Sequence, residues 1–155
     1  MIYQTNRKLS KYFNKYGCLF TSIAYARPFL GGRDWTAQEL QEKWNKALKE
    51  GILSGDLNND GDFDDAKELE IQDYPRLLEL LEVPLEWIPG HHNPAMALVG
   101  PLFVVGAFFN PRTKFTHFAV IDHLKKVIFD PIEGGSVTCR EGYLKSLRLF
   151  SIKES

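Results

Sequence analysis

The feature that most constrains this chain is a change of hydrophobic period partway along it. Up to about residue 83 the apolar residues recur at helical spacing. From Leu85 onward they alternate or run together, as strand residues do. In the first half, Leu19, Ile23 and Ala26 share one helical face, and that helix is expected to end near Arg27-Pro28, because a proline disfavours helix at the residue before it. Residues 8–14 read as an extended or short helical lead-in. Thr36 with Glu39 fits a capping box opening a helix to about Lys49, with Leu40, Trp44, Ala47 and Leu48 inward. Asp73 and Pro75 open a third helix, which Pro84 ends. In the second half, Leu85–Ile88, the unbroken apolar run Leu102–Phe109, Thr116–Asp122, Lys126–Asp130 and Leu147–Ile152 read as strands. Short turns between consecutive strands indicate an antiparallel sheet. Helices first and sheet second define an α+β fold.

At 155 residues and 44% hydrophobic, the chain has room for one real core, and no linker or repeat marks a domain boundary within residues 1–155. Net charge is −1 with scattered Lys and Arg, which excludes nucleic acid or an anionic membrane surface as the main partner. The polar N-terminus and the lack of a long apolar stretch lead us to expect a chain made in the cytoplasm, without a signal peptide or membrane segment, acting as a monomer. Two cysteines, Cys18 and Cys139, do not make a disulfide scaffold.

Cys18 follows Gly17 and opens the first helix. Orphan backbone N–H groups and the helix dipole there favour an anion, and a thiolate is one. His117 begins a strand beside a buried run, and Asp130 ends the next one. If the two strands pair as a hairpin, Asp130 comes within reach of one imidazole nitrogen, and the other faces Cys18. That is the nucleophile, base and orienter a cysteine hydrolase needs.

Three segments, Tyr16-Gly17-Cys18-Leu19-Phe20-Thr21-Ser22-Ile23-Ala24, His117-Phe118-Ala119-Val120-Ile121-Asp122 and Phe129-Asp130-Pro131-Ile132-Glu133-Gly134-Gly135, resemble the papain-like cysteine peptidases. The closest branch is the small bacterial group similar to bacteriocin-leader-processing peptidases, which includes phage and plasmid-borne cell-wall lysis enzymes. The resemblance implies a papain-like fold and a triad of Cys18, His117 and Asp130. The family's oxyanion glutamine, about six residues before the cysteine, is Tyr12 here. Gln4 lies much further back and Asn14 nearer, so Asn14 is the candidate donor alongside the Cys18 backbone N–H. The expected activity is hydrolysis of an amide bond in a peptide or peptidoglycan substrate, as in a phage endolysin. A protein-processing peptidase or isopeptidase is the alternative enzyme, and an inactive calcium-stabilised binding module the alternative to an enzyme.

A second motif lies at residues 56–65. Asp56, Asn58, Asp60, Asp62 and Asp64, with Gly61 at the sixth position, match the first nine positions of an EF-hand-like loop and predict structural Ca2+. The twelfth position is Lys67, so a closing ligand must come from nearby. His91-His92 lacks a third ligand at metal spacing and reads as a loop pair. Cys139 reads as a strand cysteine or an unpaired thiol.

Overall fold

The computed structural model describes residues 1–54 and 70–153. Its helices are α1 (Lys11–Tyr16), α2 (Cys18–Ala24), α3 (Ala26–Phe29), α4 (Ala37–Lys49) and α5 (Tyr74–Leu80). The strands β1 (Leu85–His92), β2 (Leu102–Asn110), β3 (Phe115–Ile121), β4 (Val127–Phe129) and β5 (Tyr143–Ile152) follow, with α6 (Val137–Glu141) between the last two. The strands form one antiparallel sheet in the order β1-β5-β2-β3-β4. The chain is therefore α+β, with its helices mainly N-terminal and a five-stranded antiparallel sheet in the C-terminal half. Among the described residues, no helix is long and apolar enough to cross a membrane.

The unbroken apolar run of β2 has a simple cause: its strand is covered on both faces. Phe103 and Val105 join the larger core, with Val120 and Phe150 from the sheet and Phe13, Phe20, Ile23, Leu40 and Trp44 from the helices. Val104 and Phe108 face the other way, into a smaller cluster with Ala119, Ile121, Leu147 and Leu149. Phe13, Phe20 and Trp44 lock the helical layer. Their ring centroids lie 4.6–5.6 Å apart, and Phe20 meets both partners edge-on. Each such fully buried ring contributes on the order of 2 kcal/mol or more of burial.

Several expectations need adjustment. The first helix does not run to Pro28. It breaks at Tyr25, and Pro28 sits inside the one-turn α3, where a first-turn residue needs no N–H. The capping box at Thr36 is formed in both directions, with both hydrogen bonds at 3.1 Å. His91 and His92 end β1 rather than lying in a loop, because β1 continues past Pro89-Gly90 with a register shift against β5. Cys139 lies on α6, not on a strand: Ser136 caps that helix by accepting from the Cys139 N–H at 3.1 Å. The calcium motif, with Asp56, Asn58, Asp60, Asp62 and Asp64, lies outside the described residues.

Candidate active site

Cys18 is the first residue of α2. Gly17 is required before it, but not for an unusual backbone angle, since its φ is −82°. A Cβ there would lie 2.5 Å from the Phe13 carbonyl oxygen and 2.7 Å from the Phe13 ring. The glycine lets α1 and α2 meet at a close corner and so sets where Cys18 emerges. Two further contacts fix α2. Ser22 Oγ donates to the Phe118 carbonyl at 3.3 Å, next to His117, and Trp35 Nε1 donates to the Ala24 carbonyl at 2.9 Å.

His117 lies on β3 opposite Phe108 of β2 and is 6% exposed. The β2–β5 ladder slips between Ala107 and Phe108, where Lys145 is the extra residue, so the bulge lies on β5, one strand beyond the β2 segment that pairs with His117. The β3–β4 pairing joins Val120 to Phe129, and the chain leaves the ladder at the next residue. There Asp130 turns back and its Oδ1 meets His117 Nε2 at 2.7 Å. The carboxylate is held from behind by the Ile132 N–H on Oδ1 at 2.9 Å and by the Ser136 N–H on Oδ2 at 2.8 Å. With Nε2 engaged by Asp130, Nδ1 is the ring nitrogen left for Cys18, whose sulfur lies close enough to raise the imidazole's pKa.

The electrostatics follow from these contacts. Burial alone would push the His117 imidazolium down. The Asp130 hydrogen bond and the adjacent Cys18 sulfur outweigh it and hold the pKa up at about 9. Burial would likewise push the Asp130 carboxyl up. The His117 hydrogen bond and the backbone donors of Ile132 and Ser136 instead hold it far below the usual carboxylate range. The structure therefore brings together Cys18, His117 and Asp130 as the residue pattern predicts.

Asn14 stands differently. Both hydrogens of its side-chain amide are used, on the carbonyls of Gln4 and Asn6. It holds the N-terminal segment against α1. Gln4 completes that strap. Its backbone N–H donates to the Pro131 carbonyl at 2.9 Å, and its Nε2 donates to the Asn14 carbonyl at 2.9 Å. Gln4 is 3% exposed and its Oε1 has no partner. A single buried residue thus joins the helix corner before Cys18, through its side chain, to the loop after Asp130, through its backbone. In the sequence only its residue type marks it, since it lies too far before Cys18 for spacing to point to it.

Cys139 was also not assigned to this site by pattern. Its Sγ, an imidazole nitrogen of His117 and a carboxylate oxygen of Asp130 all lie within 4.8 Å of one another. Burial pushes its thiol up; the Ser136 hydroxyl opposes this, but the Asp130 charge adds to it, and the pKa reaches about 12. These three side chains are a donor set for a soft divalent cation, but His117 Nε2 and Asp130 Oδ1 are already bonded to each other. Both cysteines are free thiols. No family model, curated protein or solved structure matches the chain.

Proposed function

We propose that this chain is a cysteine hydrolase of papain-like type that cleaves an amide bond. The observation that carries this reading is the His117 imidazole held between the Cys18 sulfur and the Asp130 carboxylate, with Nε2 and Oδ1 2.7 Å apart. In the reaction, His117 Nδ1 takes the Cys18 proton and the sulfur attacks the carbonyl carbon. Asp130 keeps the ring oriented and favours its charged form. The imidazolium then gives its proton to the leaving amine as the C–N bond breaks, leaving a thioester on Cys18. Water, deprotonated by the same imidazole, attacks the thioester. The acid departs and the thiol is restored.

Each tetrahedral intermediate needs donors for its oxyanion. The Cys18 N–H is one, as an orphan donor at the start of α2. Asn14 uses both amide hydrogens elsewhere, so the side-chain donor we assign is Gln4, whose Nε2 donates one hydrogen to the Asn14 carbonyl, one helical turn before Cys18, and carries a second. The substrate we assign is a peptidoglycan stem peptide or cross-link, on the resemblance of the Cys18, His117 and Asp130 segments to those of phage lysis enzymes. The test is release of new amino groups from purified peptidoglycan. Wild type should release them and Cys18→Ala should not. Protein cleavage without peptidoglycan cleavage would move the reading to a processing peptidase, and no cleavage of either would end it.

A further inference from the structure

Among the described residues, one cluster of His, Cys, Asp and Glu donors is tight enough to hold a metal ion: His117, Asp130 and Cys139. An imidazole nitrogen, a carboxylate oxygen and the Cys139 Sγ lie within 4.8 Å of one another. Around a tetrahedral zinc ion, with ligand atoms about 2.0–2.3 Å from the metal, those atoms stand roughly 3.3–3.8 Å apart. Closing the set takes a shift of about an ångström, within reach of side-chain torsions. Nitrogen, oxygen and sulfur together suit zinc and its neighbours rather than calcium or magnesium, which take oxygen alone.

The fold holds each donor from behind. The Ile132 N–H on Oδ1 and the Ser136 N–H on Oδ2 give the Asp130 carboxylate the outer partners that metal-ligating carboxylates have. Ser136 also caps α6 through the Cys139 N–H and so fixes where Cys139 stands. His117 is carried by β3, in register with β2. Asp130 and Cys139 are half-buried, so an ion reaches the cluster without opening the core. Cys139 has no part in the hydrolysis proposed above, yet it completes this set.

We propose that His117, Asp130 and Cys139 bind a zinc-class divalent cation, and that the bound ion switches the site off. Binding stands on the donor set alone, and inhibition rests on the hydrolase reading above. Nε2 is the imidazole nitrogen on the Asp130 side, 2.7 Å from Oδ1. Two ligands of one tetrahedral ion stand further apart than that, so the ion replaces the hydrogen between them and parts the pair by roughly half an ångström. The Nε2 proton and the Cys139 thiol proton leave to water. A neutral imidazole carries one hydrogen, and with the metal on Nε2 that hydrogen is on Nδ1. Nδ1 is the nitrogen that must take the Cys18 proton. The base is lost although Cys18 is not itself a ligand.

The probes are Co2+, whose bond to a thiolate gives a charge-transfer band in the near ultraviolet, and Zn2+. Co2+ added to the metal-free chain should raise that band in wild type and in Cys18→Ala, and not in Cys139→Ser. The acidic motif at residues 56–65 has no thiol and cannot produce it. Cys139→Ala serves if Cys139→Ser does not fold. His117→Ala should weaken Co2+ binding at least tenfold. No band in wild type, loss of the band in Cys18→Ala, or its persistence in Cys139→Ser would each overturn the site. Zn2+ should lower peptidoglycan turnover by wild type at least tenfold, and a chelator should restore it. Cys139→Ser, with metal-free turnover within a few-fold of wild type, should need at least tenfold more Zn2+ for the same loss. Equal inhibition of the two would overturn the inhibitory role. The expected bands with no cleavage of any substrate leave the metal site and end the hydrolase. Cleavage without a band leaves the hydrolase and removes the metal site.

Discussion

Two free cysteines lie beside one imidazole–carboxylate pair, in different surroundings. Cys18 opens α2 and faces the imidazole of His117. Cys139 lies on α6 and faces the carboxylate of Asp130, which helps push its thiol up to about 12. Both are partly buried, and at Cys139 burial is the main push on the thiol, with the Asp130 charge adding to it. Cys18 differs in its place at the start of a helix and beside the imidazole. A cation beside a thiol favours the thiolate, an anion disfavours it, and reactivity follows the thiolate.

The largest effect should come from asking each cysteine to react. Iodoacetamide at pH 7 should alkylate Cys18 at least tenfold faster than Cys139, as peptide mapping would record. Cys18→Ser should lower peptidoglycan turnover by a thousandfold or more. Cys139→Ser should leave it within a few-fold. Equal labelling of the two would remove the contrast and with it the nucleophile.

Next in size is the carboxylate that sets the contrast. Asp130→Asn keeps the shape and loses the charge, and turnover should fall by roughly a hundredfold or more. The pH profile carries the sign. With the His117 pKa held at about 9, turnover should fall as pH rises through 9, where the imidazolium is lost. In Asp130→Asn that limb should move to lower pH. Stability runs with it. The folded value lies above the ordinary 6.5, so the ion pair stabilises fully below about pH 6.5 and is lost as pH rises through 9. The difference is on the order of 2–3 kcal/mol, readable as a lower midpoint of urea unfolding at pH 9.5 than at pH 6. A flat profile across pH 6–10 would mean that Asp130 does not hold the imidazolium.

A smaller effect separates the two corners of the backbone. Gly17 precedes the Cys18 helix and Gly142 follows the Cys139 helix. A Cβ at either would collide with backbone oxygen, of Phe13 in one case and of Phe109 and Thr138 in the other. Each alanine substitution should destabilise by about 1–3 kcal/mol, as overpacking does. Only Gly17→Ala should also cost turnover per folded molecule, roughly tenfold or more, because it moves the attacking sulfur. Equal losses of turnover in both variants would show that the corner at Gly17 does not position Cys18.

The contrast also shows how far residues alone can be read. Cys18, His117 and Asp130 are legible because each stands at or near the end of an element, in a short segment whose residue types have few other reasons to occur together. The α+β order is legible from the period change at Leu85. The β2 run is legible as a strand, but the two layers that bury it are not, since they come from residues far apart in the chain. The same distance hides Gln4, which reaches Asn14 and Pro131, and Cys139, which reaches Asp130 only because Ser136 starts a helix after the Gly-Gly turn. Gly17 is visible in the sequence only as the residue before Cys18, while its role, to make room for Phe13, is not. Pro28 is misread as a stop because a one-turn helix accepts proline within its first turn.

The smallest effect expected is that of calcium, and it should leave the cysteine contrast untouched. The motif from Asp56 to Asp64 lies between two stems that are closed against each other. Leu53 bridges Ile71, the Ser54 N–H donates to the Glu70 carbonyl at 2.8 Å, and the Gln72 N–H donates to the Ile52 carbonyl at 2.8 Å. An ion bound between such stems stabilises the folded chain by mass action, so chelation should lower Tm by a few degrees. Asp60→Ala should have the lower Tm already and no response to chelator. The labelling ratio of Cys18 to Cys139 should be the same with and without calcium. A Tm indifferent to chelator would dismiss the ion. A labelling ratio that collapses on chelation would instead couple the loop to the Cys18 corner, and a purely structural role for calcium would fail.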